Sequence, residues 1–290
     1  MQFVSTLVGI AMILLTSSAA VAVEAMPPSG PMDIRVEAGD WGKARPRDIE
    51  AVLTTVADTL LPSFPQHAGE RVLVAYRDAG PSVLLEKSRD GAHRVFLKVQ
   101  DARWDQFAYQ FSHELCHIFT NHEHREAAPG VLARDHQWFE ETLCEAVSLV
   151  ALERMTARWK HEPPHPGWQA YAPAFREYAQ RLLDERHRDL PPNETLGQWF
   201  NANREALERD PYLRQKNELL AAHLLSLFET VPGSLEAIGY LNAEQSPPNA
   251  SFAAYLASWY DCCPGRHRAF VKEVMTLLEG AARRAALPPA

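Results

Sequence analysis

Apolar residues recur at helical spacing between Arg45 and Leu61, where Ile49, Val52, Leu53, Val56 and Leu60 share one face, so a first helix is predicted there. The period then shortens. Three β-prone segments follow, Arg71–Tyr76, Ser82–Glu86 and His93–Val99, and Ser88-Arg89-Asp90-Gly91 between the last two carries hairpin turn chemistry. From Trp104 the helical period returns, with Trp104, Phe107, Phe111, Leu115 and Ile118 on one stripe. A longer helix is predicted from about Gln137 to Arg158. Further helices are predicted at Trp168–Asp184, Leu196–Glu208, Tyr212–Glu229, Ser251–Trp259 and Arg266–Ala282, separated by Pro, Gly and Asn breaks. The expected fold class is α+β and mostly helical, with a small sheet-bearing lobe at residues 23–125 and a helical lobe at 126–290. The chain shows no internal repeat, and its end from Arg284 reads as a frayed tail.

The first 22 residues form a different pattern: an apolar run from Leu7 to Leu15, then small residues ending in an Ala-x-Ala site after Ala22. This predicts a cleaved signal peptide and an exported protein, periplasmic or secreted. The run is shorter than the roughly 20 residues that cross a bilayer, so no stable membrane span is expected after cleavage. Pro-containing Met26–Pro31 follows as a linker. A hydrophobic content of 46% supports a substantial core, and a formal charge of −8 without a dense Lys/Arg cluster excludes a nucleic-acid partner. Of the four cysteines, Cys116, Cys144, Cys262 and Cys263, no two have Cys-x-x-Cys spacing.

Candidate chemistry is concentrated in His113-Glu114-Leu115-Cys116-His117. On a helix, residues four apart differ by about 40° in azimuth, so His113 and His117 can both reach one cation. Glu114, one step round, can address a metal-bound water without ligating. That is the logic of His-Glu-x-x-His, and it predicts zinc. A tetrahedral catalytic zinc needs a third protein ligand and an open position. The metzincin continuation fails, because Thr120 and Glu123 stand where it requires Gly and His. Asp135 and His136 are candidates outside a strong helix. Trp138-Phe139-Glu140-Glu141-Thr142-Leu143-Cys144-Glu145 is a better source, since Glu141 and Glu145 share one face and Phe139, Leu143, Ala146, Val147 and Val150 the other. His122, His124 and His136 read as solvated loop residues.

These segments resemble the gluzincin peptidases, particularly the group with an M1-like or peptidase MA-like domain, in which His-Glu-x-x-His is followed by Trp-[Leu/Phe]-x-Glu-x-x-x-Glu. Trp138, Phe139, Glu141 and Glu145 match in order, and Glu140 stands where Asn is usual. The resemblance covers about forty residues, Trp104 to Leu149. It implies a zincin-like fold whose two lobes flank a zinc cleft, Glu141 as third ligand, and Glu145 orienting a ligating His. It also implies a Tyr at the start of a later helix that stabilises the oxyanion, for which Tyr212 is the nearest match and His223, Tyr178 and Tyr240 are rivals. Strand His93–Val99 would line the cleft and pair with extended substrate. A Cys116–Cys144 disulfide could staple the two helices if they pack as in that family.

The expected function is therefore a zinc metallopeptidase acting on a peptide or protein, with Glu114 as general base. Two alternatives stand beside it. One keeps the metal without proteolysis, as an exported zinc-binding protein or an amidohydrolase of another kind. The other is a helical binding or scaffold protein with an accidental motif.

Overall fold

Three parallel strands and one antiparallel strand make the single sheet seen among the described residues, which in this computed structural model are 30–124, 135–231, 233–244, 247 and 249–285. The expected signal peptide, the first four residues of linker Met26–Pro31 and the end of the tail lie outside them. The strands are β1 (Asp33–Val36), β2 (Arg71–Tyr76), β3 (Ser82–Val83) and β4 (His93–Leu97). Their order is β1-β2-β4-β3. Helix α1 (Pro46–Leu60) supplies the crossover that parallel β1 and β2 require, and buries Ile49, Val52, Leu53, Val56 and Leu60 as its spacing predicted. A Pro opens it, where the missing N–H costs nothing.

The chain leaves β2, turns outward to the edge as β3 and returns between them as β4, which pairs parallel with β2 and antiparallel with β3. Strand β4 is therefore interior, with both backbone edges occupied. This corrects the expectation that His93–Val99 lines the cleft: the free edge belongs to β3. Leu84 extends the edge by donating its N–H to the Arg94 carbonyl at 3.0 Å. Strand β1 was not predicted, since four residues beside a Pro/Gly linker carry too little pattern, and the Ser82–Glu86 segment contributes only two strand residues.

Helix α2 (Trp104–Phe119) packs its predicted stripe into the core beside α1 and β4, and ends where Asn121 adopts a left-handed conformation, φ 57°. Helix α3 (Gln137–Trp159) lies against α2, followed by α4 (Ala172–Leu183), α5 (Leu196–Arg209) and α6 (Arg214–Thr230). A short α7 (Ser234–Ile238), missed by the periodicity, precedes α8 (Phe252–Cys262) and α9 (Arg268–Ala285). The protein is thus α+β and mostly helical. Two hydrophobic clusters meet in α3: Trp138, Phe139 and Leu143 belong with α5, α6, α8 and α9, whereas Cys144, Val147, Leu152, Met155 and Trp159 belong with the sheet, α1, α2 and α4.

Candidate metal centre

Tyr109 meets Glu145, His113 meets Glu141 and His117 meets Glu140, so α2 and α3 run antiparallel and face each other turn by turn. Spacings of four, Tyr109-His113-His117 on α2 and Glu141–Glu145 on α3, make this register possible, with Glu140 beside Glu141 reaching His117. It gathers His113, His117 and Glu141 with one potential ligand atom from each within 4.8 Å of the others. Glu141 Oε2 lies 3.2 Å from His113 Nε2 and 3.6 Å from His117 Nε2. Two atoms each 2.0–2.1 Å from a tetrahedral zinc lie about 3.3–3.4 Å apart, so the three donors fit that ion in kind and spacing.

The electrostatics point the same way. Burial works against an imidazolium at His113 and His117, yet contacts with Glu141, joined by Glu114 at His113 and Glu140 at His117, raise both pKa values. At Glu141 burial favours the neutral acid, but the two imidazoles outweigh it and hold the carboxyl well below its usual range. The cluster has more carboxylate charge than its histidines balance when neutral, which is the surroundings a cation requires. Glu114 is buried against this cluster. Burial raises its pKa, opposed by His113, His117 and more weakly by Arg77.

His117 is oriented by Glu140: its Nδ1 donates to Oε1 at 2.7 Å, leaving Nε2 for the metal position. The same carboxylate accepts from Asn242 Nδ2 at 3.1 Å, and Asn242 Oδ1 accepts from the Tyr255 hydroxyl at 2.8 Å. Asn242 also donates to the Thr120 carbonyl at 2.9 Å, tying the end of α2 to the residues after α7. Such carboxylate-histidine pairs fix the tautomer and raise ligand basicity.

Here the expectation for Glu145 is corrected. It hydrogen-bonds to neither His113 nor His117. Lying one turn beyond Glu141, it stands opposite Tyr109, whose hydroxyl donates at 2.5 Å, and takes a 2.8 Å hydrogen bond from buried Arg188. Sequence reading passed over Glu140 because it sits about 100° round the helix from Glu141. That offset lets it reach the far nitrogen of His117, and the neighbouring Glu-Glu pair was the available signal.

A cavity of about 920 Å³ opens onto this cluster, lined by edge strand β3 with Leu84 and Leu85 beyond it, and by Tyr178, Tyr212, Arg214, Asn217 and Glu218. The two large apolar side chains exposed among the described residues, Leu84 at 42% and Tyr212 at 60%, both line it. Tyr212 precedes α6, and its phenolic oxygen accepts from Gln137 Nε2 at 2.8 Å. Of its rivals, Tyr178 lines the cavity edge-on to Tyr109, whereas Tyr240 stacks on His267 and His223 is absent from the lining.

Other histidines differ from expectation. His122 is buried, with Nδ1 2.8 Å from the His117 carbonyl and Nε2 3.2 Å from the Leu84 carbonyl, so it links the motif helix to the edge strand. Burial lowers its pKa to about 4. His136 is buried between Glu208 and the Ala250 carbonyl, each at 2.8 Å, and Asp135 accepts from the Asn249 N–H at 2.7 Å. Neither belongs to the group formed by His113, His117 and Glu141 or lines the cavity beside it, which removes them as candidates for a third ligand. The side chain of His124 lies outside the described residues. Cys116 and Cys144 are free, buried thiols in contact with each other, and not joined by the disulfide that the resemblance allowed.

The fold and site together define a mostly helical α+β protein with a half-buried His-His-Glu cluster lining an open cleft. No protein-family model matches the chain, and no curated protein matches it.

Proposed function

We propose that this protein is a zinc-dependent peptidase of the gluzincin type, exported from the cell that makes it. The observation that carries the reading is the convergence of His113 Nε2 and His117 Nε2 on Glu141 Oε2 beside a cleft. The order of motif helix and glutamate helix supports it, as does an antiparallel edge strand that lines the cleft, which suits a zincin-like fold.

His113, His117 and Glu141 would hold the ion. When bound, zinc lowers the pKa of a water ligand and polarises a carbonyl oxygen. Glu114, raised toward neutrality by burial, accepts the proton of the attacking water and passes it to the departing amide nitrogen. Tyr212 is assigned the oxyanion. Because Gln137 donates to its oxygen, the phenolic proton is directed elsewhere, and it can donate to developing negative charge. The outer edge of β3 can take an extended peptide by strand addition, whereas the backbone of Leu84 is already engaged by Arg94 and His122. Glu140 keeps His117 in the ligating tautomer, and Glu145 serves structure.

Metal analysis of the purified protein tests the reading. One zinc per chain, lost in Glu141→Ala and His117→Ala, is expected, together with cleavage of peptides that Glu114→Gln cannot perform. Zinc without hydrolysis of any peptide would favour a non-proteolytic zinc protein, and no zinc after refolding with metal would favour the scaffold reading.

A further inference from the structure

Among the described residues that line the cleft, Arg214 is the one arginine or lysine. Its surroundings hold it in place through one edge of the guanidinium and leave the other donors uncommitted. Arg214 Nε donates to Glu218 Oε1 at 2.7 Å, and the side chains differ sharply in exposure, 71% for Arg214 and 4% for Glu218. The inner edge of the guanidinium is anchored while Nη1 and Nη2 make no hydrogen bond among the described residues. Glu218 does not depend on Arg214 alone for neutralisation: His187 Nε2 lies 2.6 Å from its other oxygen, and Arg188 Nη2 3.5 Å from Oε1. Arg188 itself is only 2% exposed and also holds Glu145 at 2.8 Å. The buried layer holds two carboxylates, Glu145 and Glu218, against one guanidinium, Arg188, and Arg214 completes the balance through its Nε while its side chain lines the cavity. Asn217, one turn along α6, donates to the Pro211 carbonyl at 2.7 Å and fixes the turn that carries Tyr212 and Arg214 to the wall.

Resting on the peptidase reading, we infer that Arg214 is a specificity-determining residue that binds a carboxylate of the substrate through its free Nη groups. A guanidinium anchored by Nε presents two parallel N–H donors, the geometry that matches a carboxylate. Arg214 and the His113–Glu141 pair line one cleft, so a peptide held at that pair can present a carboxylate to Arg214. An acidic side chain or the free end of a short peptide product-length segment would each supply it.

Three pools of random nonapeptides separate these sources: one free of Asp and Glu and amidated at its end, one differing only in a free C-terminal carboxylate, and one amidated but carrying Asp. Turnover is measured with wild type, Arg214→Ala and Arg214→Lys. Binding is measured separately by fluorescence anisotropy in the non-hydrolysing Glu114→Gln background, with and without Arg214→Ala, and thermal melts establish that each variant folds. Wild type should prefer one carboxylate pool, and which pool identifies the source. Arg214→Ala should remove the preference in kcat/KM and in Kd, a loss of roughly 10-fold or more for a charge-assisted hydrogen bond, and Arg214→Lys should restore part of it. Equal effects on all three pools would overturn the inference and leave the peptidase reading standing. Absence of turnover in wild type would count against that reading, while carboxylate-dependent binding in the Glu114→Gln background, lost with Arg214→Ala, would still support the role of Arg214. Its absence there would refute it.

Discussion

Glu140 and Glu145 are both buried carboxylates on α3, and substitution should separate their roles. Glu140→Ala frees His117 Nδ1, and zinc affinity should fall by roughly 10- to 100-fold, measured by competition with a chromophoric chelator. Glu145→Ala should leave zinc affinity unchanged but lower stability by about 3 kcal/mol in denaturant melts, because Arg188 loses its nearest counter-charge in the core. A third carboxylate, Glu70, predicts a pH effect. Burial favours its neutral form, but His67 at 3.0 Å and His93 at 3.2 Å outweigh this and hold its pKa below the reference 4.5. A folded-state pKa below the unfolded one gives stability that is present above pH 4.5 and is lost as pH falls beneath it. The gap in melting temperature between wild type and Glu70→Gln should therefore be widest near neutrality and narrow toward about pH 3.

At the level of elements, the end of α2 is joined to the α7–α8 connection through Asn242. Asn242→Ala removes its contacts with Thr120, Glu140 and Tyr255 together, and should cost about 1–3 kcal/mol for the buried groups left without partners. Tyr255→Phe, which deletes one hydroxyl, should cost about 1 kcal/mol; calorimetric melts of both proteins check the order. Much of this layer was legible in the sequence. The stripe from Trp104 to Ile118 predicts α2, and the aromatic start at Trp138 predicts α3, because both patterns are local. His113, His117 and Glu141 could be singled out for the same reason, aided by family resemblance. What was not legible depends on pairing across the chain. Nothing near His93 shows that β2 will occupy its other edge, and nothing near Glu140 shows that His117 arrives with Nδ1 outward. Asn242 and Arg188 lie about a hundred and about forty residues from the carboxylates they contact, as their pairings with Glu140 and Glu145 show. His122 reads as a loop residue until the edge strand closes over it.

For the whole molecule, the proposed ion would connect two helices that are each committed to large cores. Zinc that binds only the folded chain should stabilise it by about 2.7 kcal/mol at a hundredfold excess over Kd, so chelation should lower the melting temperature and His113→Ala should abolish that shift. The meeting of α2 and α3 has another consequence, through the two thiols enclosed between them. Cys116 and Cys144 have no exposed surface, and each precedes in sequence a residue whose contacts bind the two helices, His117 and Glu145. A thiol reagent can reach them only when the helices part, and that same parting draws His113 from Glu141. The rate at which the pair takes up label is therefore a clock for the opening of the centre, built into the chain and readable without altering any residue of the site.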